Sequence, residues 1–196
     1  MRVAGRRAGP DLVALTALAI LTQGPRHAYD LHRFIIDTHK DYVTGLPRSL
    51  YHAIGRLHGG ELVAPVETTR EGRRPERTVY AITDRGRAEL STRLRRLLAE
   101  VGRDTTPFVA AVSLMGGLPS TEVEGALRDR SAVLRERVEA ADRVIDELVD
   151  AGLPRIVLLE VEYERSREAA ELEWVDRLVD DLRCGRIAWE VPPLNE

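Results

Sequence analysis

The chain contains the run Leu46-Pro47-Arg48-Ser49-Leu50-Tyr51-His52-Ala53-Ile54-Gly55-Arg56-Leu57-His58, which predicts a helix with two unlike faces. Pro47 suits the first turn of a helix, where a backbone N–H has no intrahelical partner. One face has the spacing of a buried apolar stripe and consists of Leu50, Ile54 and Leu57. A second face is small and polar, with one cation at its far end, and consists of Ser49, His52, Ala53 and Arg56. Such a face suits close approach to another molecule, although an ordinary amphipathic surface helix has the same spacing.

The residues after this helix predict a β-hairpin with a basic tip. Residues 61–66 and 77–82 contain the β-branched and aromatic side chains that are typical of strands. Four arginines occur within eight positions at the tip, namely Arg70, Arg73, Arg74 and Arg77. Because arginine donates bidentately to phosphate, a helix followed by this hairpin indicates a winged helix-turn-helix whose wing contacts DNA. A solvated, flexible loop is the alternative for the tip.

Three further helices complete the first half of the chain. An apolar helix is predicted over residues 12–22, with Asp11 as its N-cap, and a second helix over residues 27–38. The core candidates of the second helix are Tyr29 or Ala28, Leu31, Ile35 and Ile36. A basic helix is predicted over residues 84–101. We therefore assign residues 1–101 to a winged helix-turn-helix DNA-binding domain.

The second half, residues 102–196, predicts a helical domain. Two long helices are predicted over residues 121–150 and 155–183. Their apolar repeats are Leu127, Leu134, Val138, Ala141, Ile145 and Leu148 in the first helix, and Leu172, Val175, Val179 and Leu182 in the second. Two such helices bury little alone, so a second copy of the chain is the expected partner, with packing against the chain's own first half as the alternative. The predicted fold is mainly α with a small β-hairpin, an N-terminal winged helix-turn-helix followed by a C-terminal helical dimerisation domain.

Charge is divided unevenly along the 196 residues. Residues 1–100 hold 17 basic and 11 acidic side chains, and residues 101–196 hold 12 and 21, which gives the net charge of −3. A basic half joined to an acidic half suggests a nucleic-acid-binding module with a separate acidic module. The single cysteine, Cys184, excludes an intrachain disulfide, and the apolar run at residues 12–21 is too short to span a membrane. We expect a cytoplasmic protein without membrane association.

These features together resemble the PadR-like family of bacterial transcriptional regulators. The resemblance is carried by four segments in order along the chain: Leu18-Ala19-Ile20-Leu21 followed by Gly24-Pro25-Arg26-His27-Ala28-Tyr29-Asp30-Leu31, then Leu50-Tyr51-His52-Ala53-Ile54-Gly55-Arg56-Leu57, the wing and helix entry from Arg73 to Gly86, and Glu171-Leu172-Glu173-Trp174-Val175. Two residues depart from the family pattern: Arg48 and Glu61 each stand where a glycine is common. Arg48 adds a candidate base or phosphate contact, and Glu61 makes the end of the recognition helix less typical.

The resemblance implies a homodimer that binds a pseudo-palindromic operator, usually represses, and responds to a small-molecule effector. The resemblance identifies neither the effector nor its binding residues. Trp174 and Trp189 are candidates to line its pocket, but a place in the core or the dimer interface is favoured for them, because buried aromatic side chains dominate interfaces. The five histidines show no metal-site spacing, and no catalytic arrangement or cofactor motif is present, so we expect no enzyme, metal or cofactor. The alternative function is a helical protein-interaction module that has lost DNA binding.

Within this interpretation the DNA-binding residues fall into two groups. The polar face of the recognition helix is expected to meet bases or adjacent phosphates through Arg48, Ser49, His52 and Arg56. The DNA backbone is expected to be contacted by Tyr51, Arg73, Arg74 and Arg77.

Overall fold

A computed structural model describes residues 11–38, 40, 42, 43, 45–69 and 77–189. The helices and strands are α1 (Leu12–Leu21), β1 (Arg26–His27), α2 (Ala28–Asp37), α3 (Arg48–Gly59), β2 (Val63–Thr69), β3 (Arg77–Ile82), α4 (Asp84–Ala99), α5 (Thr106–Leu114), α6 (Ser120–Asp150) and α7 (Leu159–Arg183). Short 3₁₀ turns follow α5 and precede α7. The fold is therefore mainly helical with one small antiparallel sheet, which confirms the predicted fold class. No helix among these residues combines the length and apolarity needed to cross a membrane.

The chain divides into two compact units. Of the described residues, the first contains those up to Leu94 together with Asp104–Gly117, and the second contains Arg95–Arg103 and Leu118 to Trp189. Helix α5 belongs to the first unit because it packs against α1. The predicted functional boundary after residue 101 stays a prediction.

Helix α1 is the core of the first unit. Its residues from Ala14 to Leu21 are all buried, and it packs against α3 and α5. The Asp11 side chain accepts a hydrogen bond from the Ala14 backbone N–H and caps the helix, as predicted. Thr16, the polar residue in this apolar helix, is fully buried and donates its hydroxyl proton to the Leu12 carbonyl, 2.7 Å away. A buried hydroxyl is tolerated because that bond satisfies its donor.

The sheet has three strands in the order β1-β3-β2, all antiparallel. Strand β1 was not predicted, and residue His27, where we expected α2 to begin, lies in it with extended backbone. In α2, the core predictions Leu31 and Ile35 are correct, whereas Tyr29 and Ile36 are 62% and 54% exposed. Only one of the neighbours Ile35 and Ile36 can face the core, because adjacent helical residues point about 100° apart.

The connection from α3 to β2 has the geometry of a glycine-type helix end. The Glu61 N–H donates to the His58 carbonyl and the Leu62 N–H to the Leu57 carbonyl, each at 2.9 Å, which are the two bonds of a Schellman motif. Glu61 takes the left-handed position with φ of 58°, where glycine is usual. Its carbonyl accepts from the Thr83 hydroxyl, and its carboxylate pairs with Arg85 at 2.7 Å. These contacts fix the end of α3 to the start of α4.

The second unit is built on α6 and α7, which pack along each other in opposite directions. Ion pairs join the two helices between Arg130 and Glu171, Arg135 and Asp176, Arg137 and Glu168, and Asp142 and Arg165. The predicted apolar repeats are buried at one end, by Leu127, Leu134, Val175 and Val179, and half-buried elsewhere. Part of the surface that we assigned to a second copy is therefore covered within the unit itself.

Candidate nucleic-acid interface

Helix α3 has one buried side and one exposed side. The predicted stripe is correct, since Leu50, Ile54 and Leu57 are at most 4% exposed. Ala53, which we placed on the polar face, is fully buried and extends that stripe. A small apolar residue fits either side of a helix, so spacing alone assigned it wrongly. The exposed residues of α3 are Arg48, Tyr51, His52, Gly55, Arg56, His58 and Gly59.

The predicted DNA-binding residues of α3 do not all lie at the centre of this face. Arg48 is the first residue of the helix and is exposed, as is His52 one turn later. Tyr51 is 55% exposed on one flank. Ser49 is only partly exposed, and its backbone N–H donates to the Gly45 carbonyl at 3.2 Å. The centre of the face is thus formed by Arg48, His52 and Gly55.

Arg56 is held by a partner that sequence analysis missed. Its Nη2 atom lies 2.5 Å from Oδ2 of Asp11, the same carboxylate whose other oxygen caps α1. Both side chains keep solvent access, at 60% for Arg56 and 36% for Asp11. The pair joins residues 45 positions apart, so no local spacing could have revealed it. Arg56 contacts an incoming phosphate or base only by sharing or leaving Asp11.

Two glycines make the exposed face of α3 unusually bare. A Cβ atom added at Gly55 or at Gly59 would meet nothing within 4 Å. Glycine inside a helix costs about 0.5–1 kcal/mol relative to alanine, so the sequence loses stability at these positions. No neighbouring atom in the described part of the chain would clash with a side chain at either position, so the packing of the fold does not require glycine there. Gly55, one turn beyond Tyr51 and His52, leaves the α3 backbone open to close approach from outside.

The wing is described only in its strands. Arg77 is the first residue of β3 and pairs with Thr69 of β2, while Arg73 and Arg74 lie outside the described residues. Strand β2 has an irregular register between Pro65 and Glu67, which suits its position at the sheet edge. His58 is exposed but contacts the sheet, since its ring meets that of Tyr80 edge-on with the ring centres 6.1 Å apart. The C-terminal end of α3 is thereby anchored to the base of the wing.

No group of three His, Cys, Asp or Glu side chains among the described residues is placed to hold a metal ion.

The sequence matches the model of the "Transcriptional regulator PadR-like family" over residues 17–92, which include α2, α3, the wing strands and the start of α4. No curated protein matches the chain. Among solved structures, Bacillus subtilis PadR in complex with operator DNA is 18% identical, with a TM-score of 0.40, and the match covers 87% of this chain and 99% of that one. Bacillus subtilis PadR in complex with p-coumaric acid is 15% identical, with a TM-score of 0.37 and coverage of 88% and 99%. The PadR-like transcriptional regulator BC1756 from Bacillus cereus is 14% identical, with a TM-score of 0.38 and coverage of 88% and 99%.

Proposed function

We propose that the chain, which matches the model of the PadR-like family of transcriptional regulators over residues 17–92, represses transcription by binding a pseudo-palindromic operator as a homodimer. Members of this family are transcriptional regulators and not enzymes. The observation that carries the proposal is the exposed face of α3, which presents Arg48 and His52 beside a bare glycine backbone. A helix of this shape enters the major groove with its N-terminal residues toward the base edges.

Base contacts are assigned to the first two turns of α3. Arg48 has the bidentate donor geometry that matches O6 and N7 of guanine, and His52 follows on the same face. Gly55 lets the backbone approach the floor or wall of the groove without a side chain in between. Ser49 and Arg56 lie at the edge of this contact, where Arg56 exchanges Asp11 for a phosphate or base.

Backbone contacts are assigned to the flanks. Tyr51 lies beside the base-reading face, and Tyr29 is exposed in the first turn of α2. In a helix-turn-helix the first helix crosses the DNA backbone, where a tyrosine hydroxyl donates to phosphate oxygens. The wing arginines Arg73, Arg74 and Arg77 are proposed to extend these contacts along the strand.

The homodimer is assigned to the helical second unit. Exposed apolar side chains cluster where α6 ends and α7 begins, namely Val149, Leu153, Ile156, Val157, Leu159 and Tyr163. Soluble monomers seldom expose apolar patches of this kind, and a second copy of the chain would cover them. The dimer would place two α3 helices at half-sites about 34–36 Å apart or a multiple of that distance.

A small-molecule effector would act on that dimer in the cytoplasm. Bound beside the C-terminal helices, it needs only to favour one spacing of the two α3 helices over another. Trp174 is 41% exposed on α7, whereas Trp189 donates its indole N–H to the Leu118 carbonyl at 2.8 Å. Of the two candidate pocket residues, Trp174 is the more exposed.

The experiment that tests the function is a salt-dependent mobility shift on the promoter beside the gene. Arg48→Ala is expected to cost about 1–3 kcal/mol of specific affinity, the value of a good bidentate base contact. Arg143→Ala removes an exposed arginine from α6 and serves as the matched control. Binding that is absent at low salt, or that is equally lost in both variants, would instead favour a module without specific DNA recognition.

A further inference from the structure

Helix α4 runs through both units of the chain, because its residues up to Leu94 belong to the first unit and those from Arg95 belong to the second. From Arg87 to Ala99 it contains no glycine or proline, the two residues most often found where helices kink. A helix of this kind moves as one stiff element. A displacement of one end of α4 is therefore passed to the other end.

The start of α4 is bound to the end of α3. The Thr83 hydroxyl, just before α4, donates to the Glu61 carbonyl at 2.8 Å, and the Arg85 guanidinium pairs with the Glu61 carboxylate at 2.7 Å. Gly86 lies so close to Leu62 that an added Cβ atom would be 2.1 Å from the Leu62 carbonyl oxygen. A displacement of the start of α4 therefore acts directly on the end of α3.

Two arginines of α6 hold the other end of α4. Arg130 donates to the Glu100 carbonyl at 2.5 Å, and Arg137 donates to the Val101 carbonyl at 2.9 Å. Glu100 and Val101 are the two residues that follow α4. A cation at the C-terminal end of a helix is favoured, because the carbonyl groups there carry negative partial charge. The two arginines are seven residues apart, so they lie on the same side of α6.

Each of these arginines is paired at the same time with a carboxylate of α7. Arg130 pairs with Glu171, and Arg137 pairs with Glu168 at 3.2 Å. Since a guanidinium group carries five N–H donors in a planar fork, one side chain can serve a carboxylate and a carbonyl together. We call the four side chains Arg130, Arg137, Glu168 and Glu171 the α4 clamp. The α4 clamp ties the end of α4 to both α6 and α7.

The two arginines of the α4 clamp differ in exposure. The Arg130 side chain is 1% exposed, whereas the Arg137 side chain is 42% exposed. An ion pair with an arginine as exposed as Arg137 adds little to the free energy of unfolding. Arg137 can therefore be removed without unfolding the chain, so that its effect on the end of α4 is measured separately from stability.

We propose that Arg137 is a positioning residue for operator binding: by fixing the end of α4 to α7, it restricts the half-site spacings that the dimer accepts. Arg137 acts through α4 and makes no contact with DNA. The inference rests on the proposed function, since it needs a dimer that binds two half-sites. It adds a residue of the helical unit to those that determine which operator is bound.

The test compares the full-length wild type with Arg137→Ala on three DNA duplexes. These are the operator from the promoter beside the gene, the same operator with two base pairs inserted between its half-sites, and a single half-site. For the wild type the insertion should lower affinity by about 100-fold, because a stiff dimer cannot engage both displaced half-sites. In Arg137→Ala this ratio should fall by a factor of about five, the value of one hydrogen bond. Affinity for the single half-site should be unchanged.

Arg135→Ala is the matched control. Arg135 also lies on α6, is 52% exposed and pairs with Asp176 of α7, but among the described residues it makes no hydrogen bond or ion pair with α4. This variant should keep the wild-type ratio. Hydrogen exchange over residues 96–103, measured by mass spectrometry, gives a readout without DNA. Exchange there should be about five times faster in Arg137→Ala and unchanged in Arg135→Ala.

The outcomes separate this inference from the proposed function. A wild type that binds neither the operator nor the half-site would refute both. If the wild type binds the operator, this inference alone is overturned by equal wild-type affinity for the two spacings, by an unchanged ratio in Arg137→Ala, by an equal change in Arg135→Ala, or by unchanged exchange at the end of α4. Weaker half-site binding in Arg137→Ala would assign Arg137 to DNA contact and would also overturn its positioning role.

Discussion

Asp11 serves two donors at once, because one carboxylate oxygen caps α1 and the other pairs with Arg56. Asp11→Asn keeps an oxygen for the Ala14 N–H, and asparagine caps helices as well as aspartate does. The lost ion pair is exposed, so the free energy of unfolding should change by less than about 1 kcal/mol. Arg56 is then released for DNA and a negative charge is removed, so operator affinity should rise. Fluorescence anisotropy measures this, with Asp180→Asn on α7 as control, and weaker binding would contradict the assigned role of Arg56.

At Gly86 the surrounding structure leaves no room for a side chain. A Cβ atom there would lie 2.1 Å from the Leu62 carbonyl oxygen and 2.8 Å from a side-chain carbon of Ile82. Because the obstacle is backbone, Gly86→Ala should lower the free energy of unfolding by at least about 1–3 kcal/mol. Gly125→Ala in α6, where a Cβ meets nothing within 4 Å, should instead raise it by about 0.5–1 kcal/mol. Urea denaturation of both variants decides the matter, and a stable Gly86→Ala protein would disprove the close approach.

Sequence spacing predicted the burial of a residue correctly where its side chain strongly prefers either the core or the surface. Leu50, Ile54 and Leu57 are buried as expected, because large aliphatic side chains have a strong preference for the core. Ala53, Tyr29 and Ile36 were assigned wrongly, since a small residue, an amphipathic ring and one of two adjacent isoleucines each fit both environments. The Arg56–Asp11 and Lys40–Ser113 contacts join distant positions and left no local signal.

For helices and strands, the length of the element determined whether the sequence pattern could predict it. The long helices and the wing strands lie close to their predicted positions because each repeats its pattern over several turns or pairs. Strand β1 has two residues, too few for any periodicity, and it exists because β3 offers it a partner. The end of α3 illustrates a different limit, since Glu61 adopts a conformation that sequence preference assigns to glycine.

The buried position of Arg130, which links α6 to α7, was not predicted from the sequence. It is 1% exposed on α6, pairs with Glu171 of α7, and donates to the Glu100 carbonyl at 2.5 Å. Burial lowers its pKa, and Glu171 opposes that change. Glu171→Leu removes the carboxylate that compensates the buried Arg130 charge and should cost about 3–5 kcal/mol, whereas the double variant Arg130→Met with Glu171→Leu should cost less.

The control for this prediction is the exposed pair of Asp180 and Arg183, at 55% and 61% side-chain exposure. Asp180→Ala should change the free energy of unfolding by less than about 1 kcal/mol. Thermal or urea unfolding of the three variants gives the comparison. If the double variant were less stable than Glu171→Leu alone, the guanidinium would contribute more through packing and the Glu100 contact than its burial costs.

For the whole molecule, the proposed dimer is tested through its apolar cluster. Ile156, between α6 and α7, is 72% exposed, and Leu159, the first residue of α7, is 44% exposed. The full-length chain should sediment as a dimer at micromolar concentration, and Ile156→Glu with Leu159→Glu should shift it to monomer and weaken operator binding. Val66→Glu places the same charge on an exposed valine of β2 and should leave the dimer intact. A wild-type chain that sediments as a monomer would contradict the proposed dimer, and a double variant that remains dimeric would place its interface elsewhere.

The central claim, that the exposed face of α3 contacts DNA, is tested most directly at Gly55. Gly55→Glu adds bulk and negative charge at a position where an added Cβ atom meets no other atom within 4 Å. We therefore expect the fold to be unchanged. Its free energy of unfolding should stay the same or rise, because glutamate forms helices better than glycine. Gly125→Glu makes the same change in α6 and is the control. Operator affinity, measured by anisotropy beside unfolding, should fall by at least about 100-fold, or about 2.7 kcal/mol, in Gly55→Glu alone. A folded Gly55→Glu protein that binds the operator as tightly as the wild type would contradict the claim.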